Sequence, residues 1–184
     1  MAVLISLLRG VNVGGHHKIK MDALRALYAE LGLRGVQTCG QSGNALFRTT
    51  IRDLAALRRR IEKGIEGTFG FHSDVVLRTV ADLRAVVARN PFSDTPGIEP
   101  SRFAVLFLAA DPGREARDKV LALDSAPEEL RFRDRELYIY FPNGMARPKV
   151  SMALIEKTLN TSGTARNWNT VATVLEVAEK MEHS

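Results

Sequence analysis

Residues Ala2–Leu8 are apolar except for Ser6 and rich in Val, Ile and Leu. A run of that kind suits a strand covered on both faces or packed centrally in a sheet, and it stops at Arg9-Gly10. It is far short of the roughly 20 residues a membrane span needs. It also lacks the basic start and small-residue cleavage site of a signal peptide. A cytoplasmic protein that does not engage a membrane is therefore expected. A central strand needs elements on either side to bury it. With 184 residues, 45% hydrophobic and 26% charged, the chain has material for one or two small domains, and disorder or coiled coil is excluded as an overall description.

The periodicity that follows supplies the covering elements. Leu24, Leu27, Tyr28 and Leu31 recur at helical spacing and Gly32 stands where a left-handed cap belongs, which predicts a helix over 21–31. Val36 to Cys39 and Ala45 to Thr49 read as short strands joined by the turn composition Gly40-Gln41-Ser42-Gly43-Asn44. Ile51, Leu54, Leu57, Ile61, Ile65 and Phe69 form the stripe of a second helix, and Asp74 to Thr79 is a further strand. The order strand, helix, strand, strand, helix, strand is the split βαβ, or ferredoxin-like, α+β arrangement, an antiparallel sheet with both helices on one face. Thr79 with Asp82 has capping-box spacing at the start of a linking helix that Asn90-Pro91 stops. A first subdomain over 1–92 and a linker over about 93–101, marked by Pro, Gly and acidic residues, are expected.

The second subdomain, 102–184, begins the pattern again. Arg102 to Ala109 is an apolar strand, Asp111-Pro112 opens a helix to about Leu123, and Leu130 to Arg133 pairs with Glu136 to Phe141 across Asp134-Arg135. Two helical patterns then follow, Val150 to Leu159 and about Trp168 to Met181. A βαββα variation with C-terminal helices is expected here, not a copy of the first half.

Charge narrows the partners. Residues 1–92 carry 14 Lys and Arg against 7 Asp and Glu, whereas 93–184 carry 12 against 14. A basic half concentrates anions such as nucleotides, nucleic acid or acidic metabolites; the competing reading is a solvated surface with no partner. The single cysteine, Cys39, can form neither an internal disulfide nor a cysteine-based zinc site and reads as a small strand hydrophobe. His16, His17, His72 and His183 lack metal-ligand spacing. No metal or cofactor is expected.

Three segments hold the residues that could carry chemistry. In the loop 9–20, glycines let backbone N–H groups converge, and Arg9, Lys18 and Lys20 add positive charge before a helix start, the physics of an anion site. A tight connection whose glycines only satisfy backbone geometry is the alternative. In Gln41-Ser42-Gly43-Asn44 the amides either read a ligand or bond their own turn. In Thr164 to Thr170, Asn167 is a good N-cap, Arg166 offers a fork to a carboxylate or phosphate, and the only tryptophan supplies a flat anchor, the alternative being a helix cap beside a core aromatic.

The runs Leu7-Leu8-Arg9-Gly10-Val11-Asn12-Val13-Gly14-Gly15, Lys18-Ile19-Lys20-Met21, Gln41-Ser42-Gly43-Asn44 and Arg166-Asn167-Trp168-Asn169-Thr170-Val171, taken together in this order, resemble the widespread bacterial domain of unknown function 1697. The resemblance spans nearly the whole chain. It implies a cytoplasmic two-subdomain α+β protein and no established activity. The chain departs from the family's usual residues at His16, His17 and Pro148. The family motifs fall on the three segments above, so Arg9, Asn12, Gly14, Gly15, Lys18, Gln41, Ser42, Asn44, Arg166 and Asn167 are the candidate ligand-binding set.

The best functional expectation is a site for a small anionic ligand, phosphorylated or carboxylated, in a cleft between the subdomains. One competitor is an enzyme acting on such a ligand by positioning and electrostatics through Arg9, Lys18 and Arg166. The other is a nucleic-acid module, ranked lower because the strands that would stack bases offer only Phe47. Whether the chain catalyses anything, and its oligomeric state, stay open at this level.

Overall fold

The computed structural model describes residues 1–184. Its elements run β1 (Ala2–Leu8), α1 (Met21–Glu30), β2 (Arg34–Cys39), β3 (Asn44–Thr49), α2 (Leu54–Phe69), β4 (Val75–Thr79) and α3 (Val80–Ala88). After a 3-10 turn at Pro100–Arg102 come β5 (Phe103–Leu108), α4 (Gly113–Leu121), β6 (Glu129–Arg133), β7 (Glu136–Tyr140), α5 (Met152–Leu159), β8 (Gly163–Asn167) and α6 (Trp168–His183). The protein is α+β, with two four-stranded antiparallel sheets and six helices. It folds as two compact units, Met1–Arg84 with Thr173–Ser184, and Ala85–Ala172.

In the first unit the sheet order is β2-β3-β1-β4. β1 is an inner strand, with Ile5 opposite Leu46 on one side and Arg78 on the other. Every residue from Val3 to Leu8 is buried, as the unbroken apolar run requires. The face carrying Leu4, Leu8, Phe47, Val75 and Leu77 packs under α1 and α2 through Leu24, Tyr28, Leu57, Ile61 and Ile65. Ser6, the one polar residue of β1, is satisfied there by the Tyr28 hydroxyl at 2.9 Å, and burial pushes the Tyr28 phenol well above its ordinary range. Asp53 caps α2 by accepting from the Ala56 N–H at 2.9 Å. The capping box at α3 forms in both directions, Thr79 N–H to the Asp82 carboxylate at 2.8 Å and Asp82 N–H to the Thr79 hydroxyl at 3.0 Å. Arg84 on α3 ion-pairs with Glu179 and Glu182 at 2.7 and 2.6 Å, which ties the end of α6 into this unit.

The second sheet has the order β6-β7-β5-β8, so the second half repeats the strand and helix sequence of the first before α6 is added. The expected βαββα variation is corrected by β8. Its residues, Gly163-Thr164-Ala165-Arg166-Asn167, show no apolar alternation, and the sequence reads them only as the approach to the last helix. What makes them a strand is close backbone approach to β5: a Cβ on Gly163 would lie 2.8 Å from the Phe107 carbonyl. The core of this unit gathers Leu106, Leu108, Leu137, Ile139, Val120, Ile155 and Leu159 between the sheet and helices α4 and α5. The segment 93–101, marked by its composition as a linker, lies within the second unit. Phe92, just ahead of it, is 1% exposed.

Candidate functional site

Asn12 organises the loop between β1 and α1. Its backbone sits at φ 56°, in the left-handed region that Asn tolerates. Its side-chain amide donates to the carbonyls of Ile19 at 2.9 Å and Gln41 at 2.7 Å, and its oxygen accepts from the Ile19 N–H at 2.9 Å. Gly14 and Gly15, at φ 58° and 79°, form the corner of a tight turn closed by the His16 N–H on the Val13 carbonyl at 3.0 Å. The turn itself accounts for both glycines. Lys18 and Lys20 are exposed, and neither ammonium group has a carboxylate partner.

The β2–β3 turn is built to the same end. Asn44, 1% exposed, donates to the Cys39 carbonyl at 2.8 Å. Gly43, at φ 76°, accepts from the Leu8 N–H at 3.0 Å, and a Cβ there would lie 2.7 Å from the Leu8 Cβ. Gln41 and Ser42 are exposed at the tip. Asn12 therefore bolts two of the three motif segments together, and the amides of Asn12 and Asn44 spend their bonding capacity on the chain itself. Cys39 is buried and its thiol pKa is raised by that burial, which leaves it a poor nucleophile.

Beside this junction lies an open hollow of about 510 Å³ lined by Lys20, Met21, Asp22, Arg25, Thr38, Gly40 and Gln41. The first residues of α1 form one wall. Lys20 holds the cap position and no side chain accepts from the helix start, so the first-turn N–H groups face outward with the positive end of the dipole. The Arg25 guanidinium bridges the Asp22 carboxylate and the Thr38 hydroxyl, which fixes its plane at the edge of the hollow. Of the expected set, Gln41 lines this hollow. Its other polar residues are Lys20, Asp22, whose carboxylate is paired to Arg25, and Arg25 and Thr38, which the turn from α1 into β2 hides from sequence reading.

Arg9 lies at the end of β1, its guanidinium 3.8 Å from Asp74 and its carbonyl accepting from Ser73 at 2.8 Å. Asp74 also bonds the His72 ring at 2.9 Å. The hydrogen bond to Asp74, with the charges of Asp74, Glu62 and Glu66, outweighs desolvation and raises the His72 pKa above its ordinary value. His72 carries no sequence signal beyond its spacing from Asp74. No group of three His, Cys, Asp or Glu side chains is placed to hold a metal ion.

The third segment lies on the second unit. Arg166 is 8% exposed on β8 and donates to the Thr164 hydroxyl at 2.6 Å and the Ala165 carbonyl at 2.9 Å; burial lowers its pKa to about 10, and it stays charged near neutrality. Asn167 accepts from the Thr170 N–H at 2.8 Å, the helix cap that the spacing predicts.

Over residues 1–138 the chain matches the family described as Protein of unknown function (DUF1697). The chain belongs to this family. The match ends short of the motif Arg166 to Val171. No curated protein matches. A solved structure of a conserved bacterial protein from Streptococcus pneumoniae is similar, with a TM-score of 0.74 at 22% identity, covering 96% of this chain and 98% of that one. At that identity the likeness shows a shared fold alone. No helix is long and apolar enough to cross a membrane.

Proposed function

We propose that this protein binds a small phosphorylated or carboxylated ligand in the hollow at the start of α1. The observation that carries the reading is the uncapped helix start under Lys20, opening on that hollow. Outward N–H groups and the helix dipole favour negative charge, Lys20 adds a full unpaired charge, and Arg25, Thr38 and Gln41 offer further donors. Lys18 and the basic balance of residues 1–92 strengthen the local field. The glycines of the loop serve its geometry, so the ligand contacts move from Gly14 and Gly15 to the amides of α1. Each unit is read as a ferredoxin-like scaffold, supported by the orders β2-β3-β1-β4 and β6-β7-β5-β8. A cytoplasmic location fits such a metabolite-binding role. The test is thermal melting with inorganic phosphate: the melting temperature rises with phosphate in the native protein, and Lys20→Ala abolishes most of the rise while leaving the phosphate-free melting temperature unchanged. A rise that Lys20→Ala leaves intact would remove the site.

A second reading, catalysis on such a ligand, is favoured by the His72 and Asp74 pair beside Arg9. Asp74 orients the ring and raises its basicity, which are the requirements for a general acid or base. A ligand-dependent activity lost in His72→Gln with phosphate binding retained would support it.

A further inference from the structure

The second unit contains a separate hollow of about 180 Å³, lined by Asn90, Phe92, Ser93, Thr95, Phe103 and Trp168 among others. Its walls are rings. Trp168 stacks on Phe103 with centroids 4.9 Å apart and planes at 29°, and Phe92 meets Phe103 edge-on at 5.3 Å. The Arg131 guanidinium lies 4.2 Å over the Phe92 ring and donates to the Pro91 carbonyl, which holds that wall in place. Phe92 and Phe103 are buried, whereas Trp168 keeps part of its surface open.

The loop over the hollow is made of turns and not slack chain. Ser93 donates from its backbone to Asn90, Thr95 to Phe92, and the Asn90 side-chain oxygen accepts from the Phe92 N–H at 2.9 Å. That bond uses only the oxygen of the Asn90 amide, so its NH₂ has no partner, and neither do the hydroxyls of Ser93 and Thr95 or the indole N–H of Trp168. Phe103 is stacked by both Trp168 and Tyr138, so the open part of Trp168 is the ring surface the hollow offers, and the free amide and hydroxyl groups stand around it at the solvent-facing rim, an apolar surface with a few convergent polar groups.

We propose that this hollow binds one planar heteroaromatic ring of nucleobase size, presented as a free nucleobase or nucleoside. The ring stacks on the open part of Trp168, whose other face rests on Phe103, and its ring nitrogens or carbonyls accept from Asn90, Ser93 or Thr95. Size sets the limit: the hollow is below the roughly 300 to 1,000 Å³ of sites for drug-sized ligands, so it admits a single ring system and leaves any sugar outside. The unused groups are mainly donors, which favours a ring carrying acceptors over a plain hydrocarbon ring.

Trp168 is the only tryptophan, so its emission reports on this hollow alone. The full chain is titrated with adenine, adenosine, guanosine, cytidine and uridine, with phenol as a ring that lacks the acceptor pattern and a mixed-sequence single-stranded oligonucleotide as the polymer control. The expected result is saturable quenching by at least one nucleobase or nucleoside below millimolar concentration, at least tenfold weaker binding of phenol, and amide chemical-shift changes at Ser93 and Thr95 in the native protein. Ser93→Leu, a change at an exposed position, is expected to weaken the quenching at least tenfold. Absence of saturation by every nucleobase and nucleoside, equal binding of phenol, or shifts that spare Ser93 and Thr95 would overturn the proposal. So would binding of the oligonucleotide alone.

Discussion

Replacing Asn12 by alanine removes three hydrogen bonds and a favoured backbone state together. The side chain donates to Ile19 and Gln41 and accepts from Ile19 at 2.7 to 2.9 Å, in a partly buried position. A net hydrogen bond contributes about 0.5 to 1.5 kcal/mol, and partial exposure places these near the lower end, about 2 kcal/mol for the three. Alanine at φ 56° adds about 1 kcal/mol of left-handed strain that asparagine largely avoids. The expected loss is about 2 to 3 kcal/mol, which for a chain of 184 residues is a fall in melting temperature of about 4 to 12 °C. Two variants separate the contributions. Asn12→Gly accepts the backbone angle and loses only the hydrogen bonds, so it should fall less than alanine. Asn12→Asp keeps the acceptor but turns a carboxylate toward two carbonyls, so it should fall at least as far. Circular dichroism melts and exchange of the Ile19 amide read these effects. A melting temperature within 1 °C of the native value in Asn12→Ala, with the Ile19 amide still protected, would refute the view that this residue joins the two segments.

Gly43→Ala places a Cβ 2.7 Å from the Leu8 Cβ at φ 76°, and combined strain and overpacking should destabilise the first unit by about 2 to 4 kcal/mol, read as a lower denaturation midpoint. The raised His72 pKa means that protonation stabilises the fold: the contribution is fully present below the ordinary value of about 6.5 and is lost as pH rises through the folded value. Asp74→Asn should return the His72 titration, followed by ring proton shifts, toward about 6.5, and an unchanged titration would show that the carboxylate is not its cause. Gly163→Ala forces a side chain against the Phe107 carbonyl, so it should detach β8 from β5 and expose the amide hydrogens that pair them, visible as faster exchange.

The first sheet was legible in the sequence because its strands carry their own signals. β1 is an unbroken apolar run, and Leu57, Ile61 and Ile65 mark the buried stripe of α2 at helical spacing. β8 was not legible, since Gly163-Thr164-Ala165-Arg166-Asn167 gains its strand character from the backbone of β5, a contact that no local pattern records. The turn chemistry of Asn12 and Asn44 was readable as one of two alternatives, and deciding between them required knowing which carbonyls stood within reach. Lys20 entered the candidate loop as a charge, but its place at an uncapped helix start depends on where α1 begins. Arg25 and Thr38, which are thirteen positions apart, meet only because α1 and β2 fold back on one another.

The central claim is that the start of α1 receives an anion, and the most direct measurement is an amide-resolved NMR titration of the full chain with inorganic phosphate. Saturable shifts are predicted at the backbone N–H groups of Met21, Asp22 and Ala23, with smaller changes at Gln41 and Thr38, and their loss in Lys20→Ala. Shifts confined to Gly14 and Gly15, or none that saturate, would contradict the claim.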